Sequence, residues 1–193
     1  MYRLIAVWPY ALVFSLVSLW AFFPEWRLAR RAQSLVTEQD AGSLPFILWV
    51  QRLAIFAAFV LALRGRTGRM AAPTLWFGVG TVTLVAGSLL RRHCFRMLGS
   101  SFTGAVVVTP GQAVVERGAY RWIRHPAYTA GALMLSSIGL ALGNWLGLLL
   151  IVGAVVLTYS YRVWVEERAL VATLGDAYLA YMRRTKRFVP WVV

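Results

Sequence analysis

The sequence predicts an all-α integral membrane protein with about five transmembrane helices, the last two forming a C-terminal helical hairpin. Three observations carry that expectation. The chain of 193 residues is 60% hydrophobic and 14% charged, with a mean hydropathy of +0.65, whereas soluble domains run about 45–50% apolar and about 25% charged. Its apolar runs approach the roughly 20 residues that a helix needs to cross a bilayer. Finally, nineteen arginines and one lysine against seven acids give a net charge of +13, and the arginines sit between the apolar runs. That placement belongs to membrane flanks and not to a nucleic-acid-binding face. The single Cys94 excludes an intramolecular disulfide and a cysteine zinc cluster, and the two histidines have no metal-ligand spacing, so no metal is expected.

The spans follow in order. Leu4–Phe23 supplies the first, too rich in Trp and Phe to read as a cleaved signal peptide. Leu44–Leu63 supplies the second, interrupted by Gln51 and Arg52, and Pro73–Leu90 the third. The stretch from Ala127 to Val165 breaks only at Gly143-Asn144-Trp145, a turn followed by an interfacial aromatic, and so reads as helices over 128–142 and 146–164. With the N-terminus outside, fifteen basic residues fall on the inner side and four on the outer, so the C-terminus is expected in the cytoplasm. Segments 91–126 and 162–193 then share the cytoplasmic face. Ala105–Thr109, ended by Pro110-Gly111, suggests a strand or extended loop, and Val163 to about Arg184 suggests a helix leaving the last span. The whole is expected to be one membrane domain, 1–193, with three N-terminal spans over 1–90 and a site-bearing half over 91–193. Its brevity and its Ala and Arg content point to a bacterial inner membrane.

Two clusters can carry chemistry. In Arg124-His125-Pro126-Ala127-Tyr128, proline keeps His125 out of helical geometry and starts the next helix at its first position, where backbone donors face anions. The bland alternative is an interfacial anchor. In Arg162-Val163-Trp164-Val165-Glu166-Glu167, Arg162 and Glu166 stand one turn apart, which by itself makes a surface ion pair. The second acid points about 100° away, and a cationic ligand would account for the two together. Arg52, near the middle of the second span, is functional by default because charge inside a bilayer is costly. The basic run Arg183–Arg187 reads equally well as a headgroup-binding patch.

The order of motifs is more specific than any one of them. Leu98-Gly99-Ser100-Ser101-Phe102-Thr103 is followed by Glu116-Arg117-Gly118-Ala119-Tyr120-Arg121-Trp122-Ile123-Arg124-His125-Pro126-Ala127-Tyr128. After the hairpin come Glu166-Glu167, Leu170, Gly175, Tyr178, Tyr181, Arg187 and Pro190. Over roughly residues 95–193 this series resembles the isoprenylcysteine carboxyl methyltransferase family and its relatives among the phospholipid methyltransferases. Ser100, Ser101 and Phe102 stand where that family usually carries a basic residue and a tryptophan, which bears on the choice of substrate.

The resemblance implies an S-adenosyl-L-methionine-dependent enzyme with a cytoplasmic cofactor pocket and a lipid or lipidated acceptor; it says nothing of oligomeric state. His125, Arg124 and Glu167 are its catalytic candidates. Val115, Gly118, Tyr120, His125, Pro126, Tyr128, Glu166 and Glu167 are its cofactor-binding candidates, and Arg52 and Arg162 are the candidates for the acceptor. His125, with Arg124, is the expected partner of the cofactor's carboxylate, and Glu166 or Glu167 accepts from its ammonium or ribose diol. Two other readings stay open: an NADPH-dependent sterol or steroid reductase, whose phosphates Glu166-Glu167 would repel, and a non-enzymatic membrane accessory protein.

Overall fold

The computed structural model describes residues 7–33, 38–64, 67–99, 104–109 and 111–189. Ser100, Ser101, Phe102, Thr103 and Pro190 lie outside the described residues. Among the described residues stand α1 (Tyr10–Gln33), α2 (Ser43–Arg64), α3 (Pro73–Leu98), α4 (Pro126–Ala141), α5 (Trp145–Leu174) and α6 (Asp176–Arg184), with 3-10 turns at Glu38–Asp40 and Gly118–Arg121 and no β-strand. Ala105–Thr109 is extended but pairs in no ladder. The all-helical membrane architecture is as expected from the sequence. By length and composition, α1 over Tyr10–Leu28, α2, α3 and α5 can cross a bilayer. The 16 residues of α4 make a rod of about 24 Å, shorter than the roughly 30 Å hydrocarbon core.

Three boundaries differ from the sequence expectation, each for a tertiary reason. α1 runs through Pro24 to Gln33 instead of stopping at Phe23, and its polar turn carries Glu25 into an ion pair with Arg91. The same pair holds α3 helical past Leu90 to Leu98. The expected helix from Val163 to Arg184 is divided: α5 continues to Leu174, Gly175 at φ +55° ends it, and α6 starts afresh. That backbone region suits glycine because it carries no Cβ.

Packing relies on small residues. Ala54, Ala58 and Ala62 make a buried stripe on α2, and a Cβ on Gly147 of α5 would stand 3.2 Å from the Ala58 Cβ. Between α3 and α4, a Cβ on Gly80 would meet the Ala141 nitrogen at 2.7 Å and the Ser137 oxygen at 2.8 Å. Such backbone approach is how helices associate in lipid, where the hydrophobic effect does not separate one apolar surface from another. The large apolar side chains point outward: Trp49, Leu53 and Phe56 on α2 are each about 70% exposed, at helical spacing that faces lipid.

The expected hairpin turn is present. The Asn144 side chain caps α5 by accepting from the Gly147 N–H at 3.0 Å. Met70 and Trp145 exchange backbone bonds with Gly143 and Gly68 at 2.9 and 2.8 Å, joining the α2–α3 loop to the hairpin tip. Gly80→Ala is expected to push α3 from α4 and destabilise the bundle by about 1–3 kcal/mol, read as a lowered midpoint of thermal unfolding in detergent. An unchanged midpoint would show that the two helices yield at that contact.

Candidate functional site

At the other end of the bundle the segment before α4, the end of α5 and the tail come together. Pro126 occupies the first helical turn of α4, and His125 is its cap residue in non-helical geometry. The tail runs beside this motif: the Arg124 N–H donates to the Lys186 oxygen at 2.7 Å, and the His125 N–H to the Arg187 oxygen at 2.9 Å. Thr129 Oγ1 donates to the Phe188 oxygen at 2.8 Å. The Tyr181 hydroxyl donates to the Tyr120 oxygen at 2.7 Å and so docks α6 on the 3-10 turn.

Glu167 lies at the centre of this junction. Its Oε1 accepts from Arg124 Nε at 2.9 Å and His125 Nε2 at 3.2 Å, and its Oε2 from Arg187 Nη2 at 2.8 Å. An ionised carboxylate only accepts, so the Nε2 atom of His125 carries the hydrogen. Arg124 also donates through Nη1 to the Met182 and Thr185 oxygens. Glu167 is therefore a structural hub, committed to protein cations.

Beside it opens a cavity of about 550 Å³ reaching from this junction into the bundle. Its polar end is lined by Arg124, His125, Tyr128, Arg162 and Glu166, with Val115, Tyr120, Tyr178 and Tyr181 as walls. Its apolar stretch is lined by Phe22, Ile47, Leu48, Ile55, Leu135 and Ile138, and it takes in Glu25, Gln51, Arg52, Arg91 and Tyr159. Glu166, half-buried, accepts from the Tyr128 hydroxyl at 2.7 Å. Burial pushes the Tyr120, Tyr178 and Tyr181 phenols up, so they remain neutral donors.

The structure thus brings Val115, Tyr120, Arg124, His125, Tyr128, Glu166, Arg52 and Arg162 to one cavity, and leaves Gly118, Pro126 and Glu167 off its lining. Gly118, at φ +61°, packs where a Cβ would lie 2.9 Å from His93 Nε2, so it shapes the turn behind the wall. Pro126 sets the start of α4. The expected Arg162–Glu166 surface pair is absent among the described residues. Arg162 is 3% exposed and bonds instead to Asp40, to Ser43 Oγ at 2.5 Å and to the Gly104 oxygen at 2.7 Å.

Sequence reasoning passed over Asp40, the Glu25–Arg91 pair at 2.8 Å, and Tyr159. Gly131 makes room for Tyr159, since a Cβ there would stand 2.6 Å from its hydroxyl. Burial acts to raise the Asp40 carboxyl, but the Leu44 N–H and the Arg162 guanidinium outweigh it and hold the group below the usual carboxylate range. Among the described residues no group of three His, Cys, Asp or Glu stands together as a metal site.

Glu167→Gln leaves Arg124 and Arg187 short of their counter-ion. The expected loss is about 3 kcal/mol, the low end for a broken buried pair because Arg187 is half exposed to solvent. Thermal unfolding checks the size, and faster hydrogen exchange over 185–188 checks the place. Unaltered exchange in the tail would contradict the hub.

Comparison with known proteins agrees with this geometry. Residues 79–172 match the isoprenylcysteine carboxyl methyltransferase (ICMT) family. The protein-S-isoprenylcysteine O-methyltransferase of Schizosaccharomyces pombe is 28% identical over 111 residues, covering 56% of this chain and 47% of the relative. The methanethiol S-methyltransferase of Mycobacterium tuberculosis is 26% identical over 163 residues, covering 78% of this chain and 61% of the relative. The solved structure of the eukaryotic intramembrane Ras methyltransferase ICMT superposes with a TM-score of 0.65 at 22% identity, over 73% of this chain and 52% of that one. The chain spans about half the length of the first of these relatives. By its ordered motifs, its fold and the match over residues 79–172, this multi-pass membrane protein is similar to the isoprenylcysteine carboxyl methyltransferase family.

Proposed function

We propose that the chain is an integral membrane methyltransferase that takes S-adenosyl-L-methionine at the polar end of the cavity and methylates a lipophilic or lipid-linked acceptor. One observation carries the reading: a half-buried carboxylate, Glu166, and the His125 ring share one end of a cavity whose wall further on is largely apolar and lies between helices. The donor set fits the cofactor. Glu166 accepts from an ammonium or a ribose diol, charge-assisted in either case. His125 faces a carboxylate, and Val115, Tyr120 and Tyr128 wall an adenine. When bound, the cofactor supplies an electrophilic methyl group. The chain's own task is alignment and exclusion of water, which an in-line displacement needs more than acid–base help. Glu167 is not proposed to touch the cofactor, because two arginines and the His125 ring already hold it.

Arg52 is exposed and Gln51 half-buried, and both line the cavity from α2, where they suit the polar head of an acceptor. Because α1 and α2 line the same cavity as the C-terminal half, residues 1–193 are read as one functional domain. The basic segments around Arg91–Arg124 and Arg183–Arg187 support a cytoplasmic site and C-terminus, and in a bacterium the inner membrane. A thiol acceptor is the second reading, favoured by the 78% coverage of the methanethiol S-methyltransferase relative.

Calorimetric titration of detergent-purified protein with S-adenosylhomocysteine, and separately with NADPH, tests the reading. Micromolar binding of S-adenosylhomocysteine alone is expected. Glu166→Gln and His125→Ala should each weaken it at least about tenfold. Binding of NADPH alone would move the chain to the reductases, and binding of neither by folded protein would overturn the assignment.

A further inference from the structure

Asp40 is fully buried in the 3-10 turn that precedes α2, and the cofactor reading makes no use of it. Its Oδ2 accepts from the Leu44 N–H at 2.8 Å and its Oδ1 from the Val106 N–H at 3.2 Å. The Oδ1 also takes Nη1 of Arg162, a residue 122 positions away. Arg162 Nε donates to the Tyr128 hydroxyl at 3.1 Å, and that hydroxyl donates to Glu166.

The arrangement is unexpected from the helix alone. Arg162 and Glu166 are one turn apart on α5, the spacing at which opposite charges pair. A guanidinium cannot shed its charge, and a buried one needs a carboxylate. Two carboxylates are candidates, and the structure gives Arg162 to Asp40, with Tyr128 standing between the guanidinium and Glu166.

We propose that Asp40 is a positioning residue, which by holding the Arg162 guanidinium keeps the Glu166 carboxylate open to the ligand of the cavity. The proposal rests on the cofactor reading above. It implies that the segment before α2, outside the family match at 79–172, governs the charge at the polar end. Without Asp40, Arg162 turns along the helix onto Glu166 and competes with the ligand's cationic or diol groups.

The test uses the full chain in detergent, with Asp40→Asn and the double variant Asp40→Asn/Arg162→Gln. Asp40→Asn is expected to weaken S-adenosylhomocysteine binding about tenfold, and removal of Arg162 in that background to restore it to within about threefold of wild type. A merely structural Asp40 predicts no rescue, so a double variant as weak as the single one overturns the proposal, as does unchanged affinity in Asp40→Asn. Carbodiimide labelling of Glu166, read by peptide mass spectrometry, needs no ligand. It should slow several-fold in Asp40→Asn and recover in the double variant; equal rates in all three proteins overturn the proposal. If wild type binds no S-adenosylhomocysteine while labelling follows the expected order, the cofactor reading falls and the role of Asp40 in keeping Glu166 open stands.

Discussion

One buried carboxylate fixes the geometry of the site. Glu167 receives Arg124, His125 and Arg187, and thereby ties the end of α5, the entry to α4 and the C-terminal tail into one body. A buried anion held by two guanidinium groups and an imidazole is stable only while they stay in place, because withdrawing a partner leaves charge buried without compensation. The consequence reaches the next residue. About 100° further round the helix, Glu166 is carried to the cavity side, where it meets Tyr128. The adjacent acids thus divide, one holding the scaffold and the other facing the cavity.

The two halves of the chain contribute differently to that space. The segment from Val115 to Tyr128, α5 and α6 supply most of the polar end, whereas α1 and α2 supply much of the apolar wall together with Glu25, Gln51 and Arg52. The family match over 79–172 takes in the segment from Val115 to Tyr128 and most of α5, and omits α1, α2 and α6. One fold can serve several ligands in this way, since specificity resides in pocket contacts and not in the fold.

Much of this was legible in the sequence, and the illegible part has a common cause. Hydropathy and the Gly143-Asn144 turn located the helices, because span length and turn chemistry are local properties. The series from Glu116 to Tyr128 with Glu166-Glu167 carries the family resemblance, because motif order is readable without geometry. Local reasoning failed wherever a partner lay far along the chain. Nothing near Arg162 announces Asp40, so the i, i+4 pairing with Glu166 was the natural expectation, and tertiary competition overruled it. The ends of α1 and α3 lie beyond the sequence expectation for the same reason, since Glu25 and Arg91 resemble terminating polar residues and in the fold neutralise each other. The sequence sets Glu167 beside Glu166 and does not show how many guanidinium groups reach it.

Transfer of the methyl group itself tests the central claim most directly. Purified protein would be given S-adenosyl-L-methionine labelled at the methyl carbon, with a prenylated cysteine analogue or a long-chain thiol, and the label counted in the organic extract. The account predicts label in at least one extracted acceptor from the wild-type protein and its loss in Glu166→Gln. Folded wild-type protein that binds the cofactor and transfers no label to either acceptor, or transfer that survives Glu166→Gln undiminished, would contradict it.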